Sequence, residues 1–261
     1  MTILDEINDH KRKEIQESKQ KVSIEEMKSS PYFNRTINSL RNALTRDGSS
    51  GIIAEFKPKS PSKGIINNQA EAADVTAGYV AGGASGLSVL TDYNYFGGSL
   101  ENLARARRAN PETPILRKDF MLDPYQIYEA KAHGADLILL IAESLSKELL
   151  LKLTLVAKDL GMEVLVEVHN GEELRKLNEH VDIVGVNNRD LRTFEVDVET
   201  SVRLSKQIPD QFVKISESGI SDPATISKLK EVGFKGFLIG ETFMKTNDPA
   251  QTCADFIQQL Q

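Results

Sequence analysis

The chain contains a single cysteine, Cys253, no tryptophan and four histidines in 261 residues. One thiol excludes an intramolecular disulfide framework and fits a reducing compartment. The histidines, at positions 10, 133, 169 and 180, show no metal-ligand spacing. No long apolar run occurs either. The most hydrophobic stretches, LILLIA at 137–142 and LLLKLTLVA at 149–157, fall far short of the ~20 residues a membrane span requires. The opening MTILDEINDH has no apolar signal-peptide segment, so a cytoplasmic protein is expected. No G-x-S-x-G elbow and no Walker sequence is present. Basic charge is not in excess: 32 Lys and Arg stand against 38 Asp and Glu, a formal net charge of −6. That argues against a dominant nucleic-acid or anionic-membrane surface, and neither partner is expected.

What the chain does have is length and order. A chain of this size suits one large α/β barrel or two small domains and buries roughly 70–75% of its unfolded surface. Residues 3–28 are charge-rich, with Ile3, Leu4, Ile7 and Ile15 near helical spacing, which predicts an amphipathic helix. SSPYF at 29–33 breaks it, NSLRNALTR at 38–46 resumes a short helix, and DGSSG turns. Residues 1–48 thus form an N-terminal extension, either a solvated tail or a helical cap. Pro31, Tyr32 and Phe33 favour the cap, since they are costly to leave in water.

Residues 49–261 read as a single domain. Eight apolar runs recur: 51–56, 86–90, 114–120, 136–141, 163–168, 182–187, 212–217 and 236–240. Helical patterns lie between them, several opening on Ser or Asp and closing on Gly, the usual helix punctuation. Eight such units point to a (β/α)8 TIM barrel with the extension capping its mouth. An open doubly wound sheet is the rival, but no G-x-G-x-x-G follows the first strand.

In a barrel the site lies at the C-terminal strand ends. Glu55 and Lys57 end the first run two residues apart, hence on one face, opposite Ala54 and Phe56. Leu116 and Lys118 share a face of the third run. In the fifth, Val164, Val166 and Val168 leave Leu165 and Glu167 on the other side. Asn187 ends the sixth run and Glu217 the seventh. Charges buried in strands cost several kcal/mol unless paired. Two lysines and three carboxylates converging on one mouth suit acid/base chemistry on an anionic substrate. Gly219 and Gly240 after the last two runs let backbone N–H groups approach a phosphate, with Ser60 and Lys57 able to complete the site. Two other features read as structural. The KRK at 11–13 is expected to be a solvated helix face, and Cys253 on the last helical pattern is expected to be core.

Taken in order, IAEFKPKSPSKG, LTDYNYFGGS, PILRKDF, LVEVH, GVNNRDL, ISESGI and FLIGETFM resemble the indole-3-glycerol phosphate synthase family over essentially the whole chain. The resemblance implies ring closure of 1-(2-carboxyphenylamino)-1-deoxyribulose 5-phosphate with loss of CO2 and water, without metal or organic cofactor. It implies that Lys57 contacts the substrate carboxylate, Lys118 acts as general acid, and Glu167 serves as acid/base in dehydration. Glu55, Asn187, Glu217 and Ser218 match the remaining polar positions. Phe96 and Phe120, with Pro61 nearby, match the anthranilate pocket, and Ser60, Gly219, Gly240 and Glu241 the phosphate site. Some members carry serine where this chain has Glu241. Only its backbone N–H is then expected to serve, with the side chain turned away. A monomer acting on a small phosphorylated substrate is expected. The competing readings are another phosphosugar barrel, such as phosphoribosylanthranilate isomerase, and a non-catalytic phosphate-ligand sensor. The first would need an acid/base Cys at a strand end, and the only Cys here lies in the last helical pattern.

Overall fold

A computed structural model describes residues 2–260. Eight parallel strands close into a barrel: β1 (Ile52–Phe56), β2 (Gly86–Leu90), β3 (Ile115–Lys118), β4 (Leu137–Ile141), β5 (Glu163–Val168), β6 (Ile183–Asn187), β7 (Val213–Glu217) and β8 (Gly236–Ile239). Each pairs with its sequence neighbours, and β8 pairs back with β1, Ile53 opposite Leu238. The doubly wound alternative is therefore excluded. Helix punctuation follows the sequence. Asp123, Ser146 and Asp222 cap the helices Pro124–Ala132, Lys147–Asp159 and Pro223–Glu231, accepting N–H bonds from the first turn. Gly134, Gly161 and Gly233, in the left-handed region, return the chain toward the sheet. The link between β5 and β6 is shorter than its neighbours, with one 3₁₀ turn at Glu173–Lys176.

Strand alternation sorts the core into two layers. Ile52, Ala54, Phe56, Val164, Val166 and Val168 face the surrounding helices. Ile53, Leu116, Leu139, Leu165 and Ile215 fill the barrel interior. The inward face of β5 then reads Glu163, Leu165 and Glu167 from bottom to top.

The N-terminal extension divides its labour. Helix α1 (Ile3–Lys21) starts with a reciprocal cap, Thr2 Oγ1 accepting from Asp5 N–H at 3.2 Å and Asp5 accepting from Thr2 N–H at 2.7 Å. It lies at the C-terminal mouth, where Ile3, Leu4 and Ile7 reach the central cavity. Helix α2 (Ile24–Lys28) and the PYF segment run down the outside, Phe33 stacking on Tyr128 at 6.2 Å. Helix α3 (Leu40–Thr45) does not cap the mouth. It plugs the opposite end, with Leu40 and Leu44 buried among Ile53, Leu116, Leu137 and Ile183. Glu163 at the start of β5 holds it, accepting N–H bonds from Leu40 at 2.8 Å and Arg41 at 3.1 Å and the Ser39 hydroxyl. A mouth-facing cap made of the whole extension is thus corrected: only α1 caps, because the apolar pair in α3 matches the open barrel bottom.

The KRK reading is corrected for one residue. Arg12 is exposed, but Lys11 is 1% exposed. Its ammonium sits 2.8 Å from Asp92 and 3.0 Å from Asp119, in the loops after β2 and β3, and 3.0 Å from Glu14 one turn on in α1. Lys11 shares the helical face of Ile7 and Ile15, four residues to either side, so the periodicity that marked the apolar stripe also contains it. Cys253 is fully buried in the core, and burial pushes its thiol up to about 12.

Candidate active site

At the mouth, the inward positions of five strands meet over a floor that includes Leu139, Ile141 and Leu238. Lys118, last residue of β3, places Nζ 2.9 Å from Glu167 Oε2 and 3.4 Å from Glu217 Oε2. Glu167 Oε1 accepts from Asn187 Nδ2 at 3.0 Å. On β1, Glu55 accepts from Ser88 Oγ at 2.9 Å and pairs with Lys57 Nζ at 3.2 Å. These carboxylates are almost wholly buried. Two glycines make the arrangement possible. A Cβ at Gly185, opposite Glu167 on β6, would lie 2.3 Å from Glu217 Oε1, and one at Gly240 would lie 2.8 Å from Glu55 Oε1.

The electrostatics follow from crowding. Burial alone would pull the Lys118 ammonium down, but Glu167, Glu217 and Glu55 outweigh it and hold the proton above the usual lysine range. Burial likewise raises Glu167, yet Lys118, His169 and Asn187 override it and keep the carboxylate ionised below its ordinary value. Glu217 is the group that yields. Burial, opposed by Lys118 but reinforced by Glu167 and Glu55, pushes it up to about 7. Its Oε1 has no hydrogen-bond partner among the described residues. The mouth thus presents a fixed cation, a fixed anion and a carboxyl titrating near neutrality, the separation that acid/base work requires.

The whole cavity is about 170 Å³, and beyond these groups it has an aromatic and an anion-facing side. Phe96 and Phe120 tilt against each other at 5.9 Å between centroids, with Pro61 in the same lining. Across from them, Ser218 at φ 70° and Gly219 at φ 74° turn the chain after β7, and a short helix opens at Glu241. Ser60 and Gly240 complete that side. Ser60 belongs to a two-stranded hairpin, Lys59–Ser60 with Gly64–Ile65, that the sequence reading treats as plain loop. All of the sequence candidates, Lys57 and Glu55 through Glu241, therefore line one cavity. The Glu241 side chain is held by cations. Its carboxylate faces Lys63 at 3.9 Å and Arg189 at 4.0 Å, two cations that offset its charge.

Three contributors went unnoticed in the sequence. Arg189 and His169 each lie two residues past a candidate, Asn187 and Glu167, and strand alternation carries the same face forward. Arg189 lines the cavity, and His169 Nε2 lies 3.4 Å from Glu167 Oε1. The third is the α1 wall of Ile3, Leu4 and Ile7, whose place at the mouth the cap reading anticipates but whose role as cavity lining it does not name.

Comparison with known proteins identifies the family. The family model described as indole-3-glycerol phosphate synthase matches residues 4–256. The chain belongs to the indole-3-glycerol phosphate synthase family. It is 48% identical to the indole-3-glycerol phosphate synthase of Bacteroides thetaiotaomicron over 259 residues, 99% of each chain. It is 44% identical to that of Salinibacter ruber, covering 96% of this chain and 93% of the relative. Solved structures of lower identity share the fold alone. The 3-hexulose-6-phosphate synthase of Salmonella typhimurium superposes with TM-score 0.63 at 14% identity, over 81% of this chain and 100% of that one. The tryptophan synthase subunit alpha of Legionella pneumophila does so with TM-score 0.62 at 14% identity, over 86% and 97%. Indole-3-glycerol phosphate synthases are carboxy-lyases of tryptophan biosynthesis, and ring closure with loss of CO2 and water is the reaction this chain carries out. Among the described residues no helix is long and apolar enough to cross a membrane.

Proposed function

We propose that the family's reaction on 1-(2-carboxyphenylamino)-1-deoxyribulose 5-phosphate is divided among these side chains as follows. Lys118 donates a proton to the C2 carbonyl oxygen while the aromatic carbon bearing the carboxylate attacks C2. The nitrogen becomes cationic as that bond forms and takes up the electron pair released when CO2 leaves. The new hydroxyl then departs as water with a proton supplied by a lysine, while Glu167 takes the proton from C1. Lys57 binds the substrate carboxylate, and Glu55, Asn187, Glu217 and Ser218 surround the reacting centre. Phe96, Phe120 and Pro61 hold the anthranilate ring. Ser60, Gly219, Gly240 and the backbone N–H of Glu241 take the phosphate, with Lys63 and Arg189 offsetting the Glu241 carboxylate. Anchors at opposite ends would fold a flexible substrate into a reactive conformer.

One observation carries this division: the Lys118 ammonium lies between Glu167 at 2.9 Å and Glu217 at 3.4 Å. It is a protonated acid beside an ionised base. The second reading, a phosphate-ligand sensor, would need no such triad. We also read residues 1–48 as an extension of one catalytic domain, 49–261, and the protein as a cytoplasmic monomer without nucleic-acid partners. The single cysteine and the biosynthetic class of its relatives support that reading.

The test is fluorescence-monitored indole formation from synthetic substrate. Lys118→Ala is expected to lose nearly all turnover, a loss of about 10²–10⁴-fold for a general acid. Its thermal unfolding is expected near wild type, since Glu217 takes up a proton where the cation was. Retained turnover removes the assignment.

A further inference from the structure

His169 plays no part in the chemistry above, yet its ring nitrogen faces Glu167, beyond the closer contacts of Lys118 and Asn187. Alternation along β5 carries it onto the inward face just above Glu167. Its Nε2 lies 3.4 Å from Glu167 Oε1 and its Nδ1 3.2 Å from Glu173 Oε2. Glu173 is fixed in turn. It accepts the His169 backbone N–H at 2.8 Å and the Asn170 amide at 2.6 Å, while Asn170 Oδ1 accepts the N–H groups of Glu172 and Glu173. Both the ring and Glu173 are largely buried.

Donor and acceptor logic sets the ring's protonation. Glu173 already accepts two N–H bonds, and a proton on Nδ1 adds a third donor to it. Glu167 accepts from Asn187 on the same oxygen that faces Nε2. A bare Nε2 would point its lone pair at that oxygen. A protonated one makes a charge-assisted contact. We propose that His169 is a positioning residue: as an imidazolium between Glu167 and Glu173, it holds Glu167 as an oriented carboxylate for the dehydration step. This rests on the reading of Glu167 as the acid/base of that step. With His169 on one oxygen and Lys118 on the other, Glu167 stays ionised even while Lys118 has given its proton to the substrate. Burial would lower the ring's pKa, but its bonds to Glu167 and Glu173 push it up to about 10. The other charged groups facing the site are Glu143, 3.9 Å from Nδ1 on the loop after β4, with Arg192 3.6 Å from it, and Asp190 on the loop after β6. Lys118 and Glu217 face Glu167 from β3 and β7.

The experiment compares His169→Asn, His169→Gln and Glu167→Gln, singly and combined, by kcat, KM and the pH profile of kcat. His169→Asn is expected to lower kcat about tenfold or more, with KM within about twofold. The acidic limb of the profile is expected to move up by about one pH unit, since Glu167 loses a cationic neighbour. His169→Gln, which returns an N–H donor without the charge, is expected to recover part of kcat while keeping the shifted limb. In the Glu167→Gln background neither change should lower kcat further. An unmoved limb, or an equal loss in that background, overturns the proposal. Wild-type turnover in Glu167→Gln overturns the Glu167 assignment and this inference with it. An impaired Glu167→Gln beside an unimpaired His169→Asn overturns this inference alone. Independently of variant folding at position 169, ¹⁵N NMR on the chain with His10, His133 and His180 replaced by Gln reads the ring directly. Both nitrogens are expected protonated at about pH 8; a neutral ring there overturns the proposal.

Discussion

Lys11→Met isolates what ties α1 to the mouth. Methionine keeps most of the apolar stem, so the change chiefly removes the cation shared by Asp92, Asp119 and Glu14. Among the described residues Asp92 Oδ2 has no hydrogen bond besides that ion contact, and both aspartates are buried. Breaking such a pair leaves uncompensated buried charge and costs about 3–5 kcal/mol. The apolar anchors of α1, Leu4, Ile7 and Ile15, contribute about 1.5–3 kcal/mol each on burial. The loss is therefore comparable to two of the three, enough to release α1 while the barrel stays folded. Hydrogen exchange should show faster amides over residues 3–21 and little change in β1–β8, and kcat should fall as Ile3, Leu4 and Ile7 leave the cavity wall. The pH dependence has a definite sign. Burial raises Asp119, but Lys11, Arg117 and Thr91 override it and hold the carboxyl at about 2. Its contribution is present above the ordinary carboxylate range and lost as pH falls through about 2. Lys11, held above its ordinary value by the same carboxylates against the cost of burial, contributes until pH rises past the usual lysine range. The stability gap between wild type and variant should thus stay flat from about pH 5 to 9 and close in acid. Unchanged exchange over α1, or a gap that widens as pH falls, refutes the clamp.

Two further outcomes follow from the site and the plug. Glu217→Gln removes a carboxyl whose pKa is raised to about 7, chiefly by burial. Because folding favours its protonated form, stability is lost as pH rises from the ordinary carboxylate range to about 7 and stays lost above it, so the variant should gain more in unfolding temperature at about pH 8 than at about pH 6 while losing turnover; an equal gain at both contradicts the shift. Removing residues 2–21 should impair turnover with the barrel intact, whereas removing 2–45 also strips Leu40 and Leu44, each worth about 2–5 kcal/mol as a core leucine, and should unfold far lower. Equal unfolding temperatures for the two truncations would deny α3 its role at the barrel bottom.

How much of this was legible depends on which symmetry a residue obeys. Period-two alternation told Glu55, Lys118 and Glu167 from their outward neighbours, because a slip of one residue would have put charges under the helices and valines in the mouth. The eight strands were legible for the same reason. The extension was legible only in part: a cap on the mouth was expected and α1 is one, but an amphipathic stripe does not show which surface receives each helix, so α3 was misplaced. The pair Leu40 and Leu44 fits the barrel bottom only once Gly86 and Gly236 are seen to leave room there, their missing Cβ atoms lying 2.5 Å from Leu40 and 2.9 Å from Leu44. Lys11 was hidden by the same gap, its partners Asp92 and Asp119 lying on loops that no local pattern relates to α1. The polar residues just past the strands form an intermediate case. His169 and Arg189 keep the inward phase of Glu167 and Asn187 for one more step. Carrying the alternation two residues beyond each strand end would have found both, because the chain leaves the barrel still extended before the loop takes over.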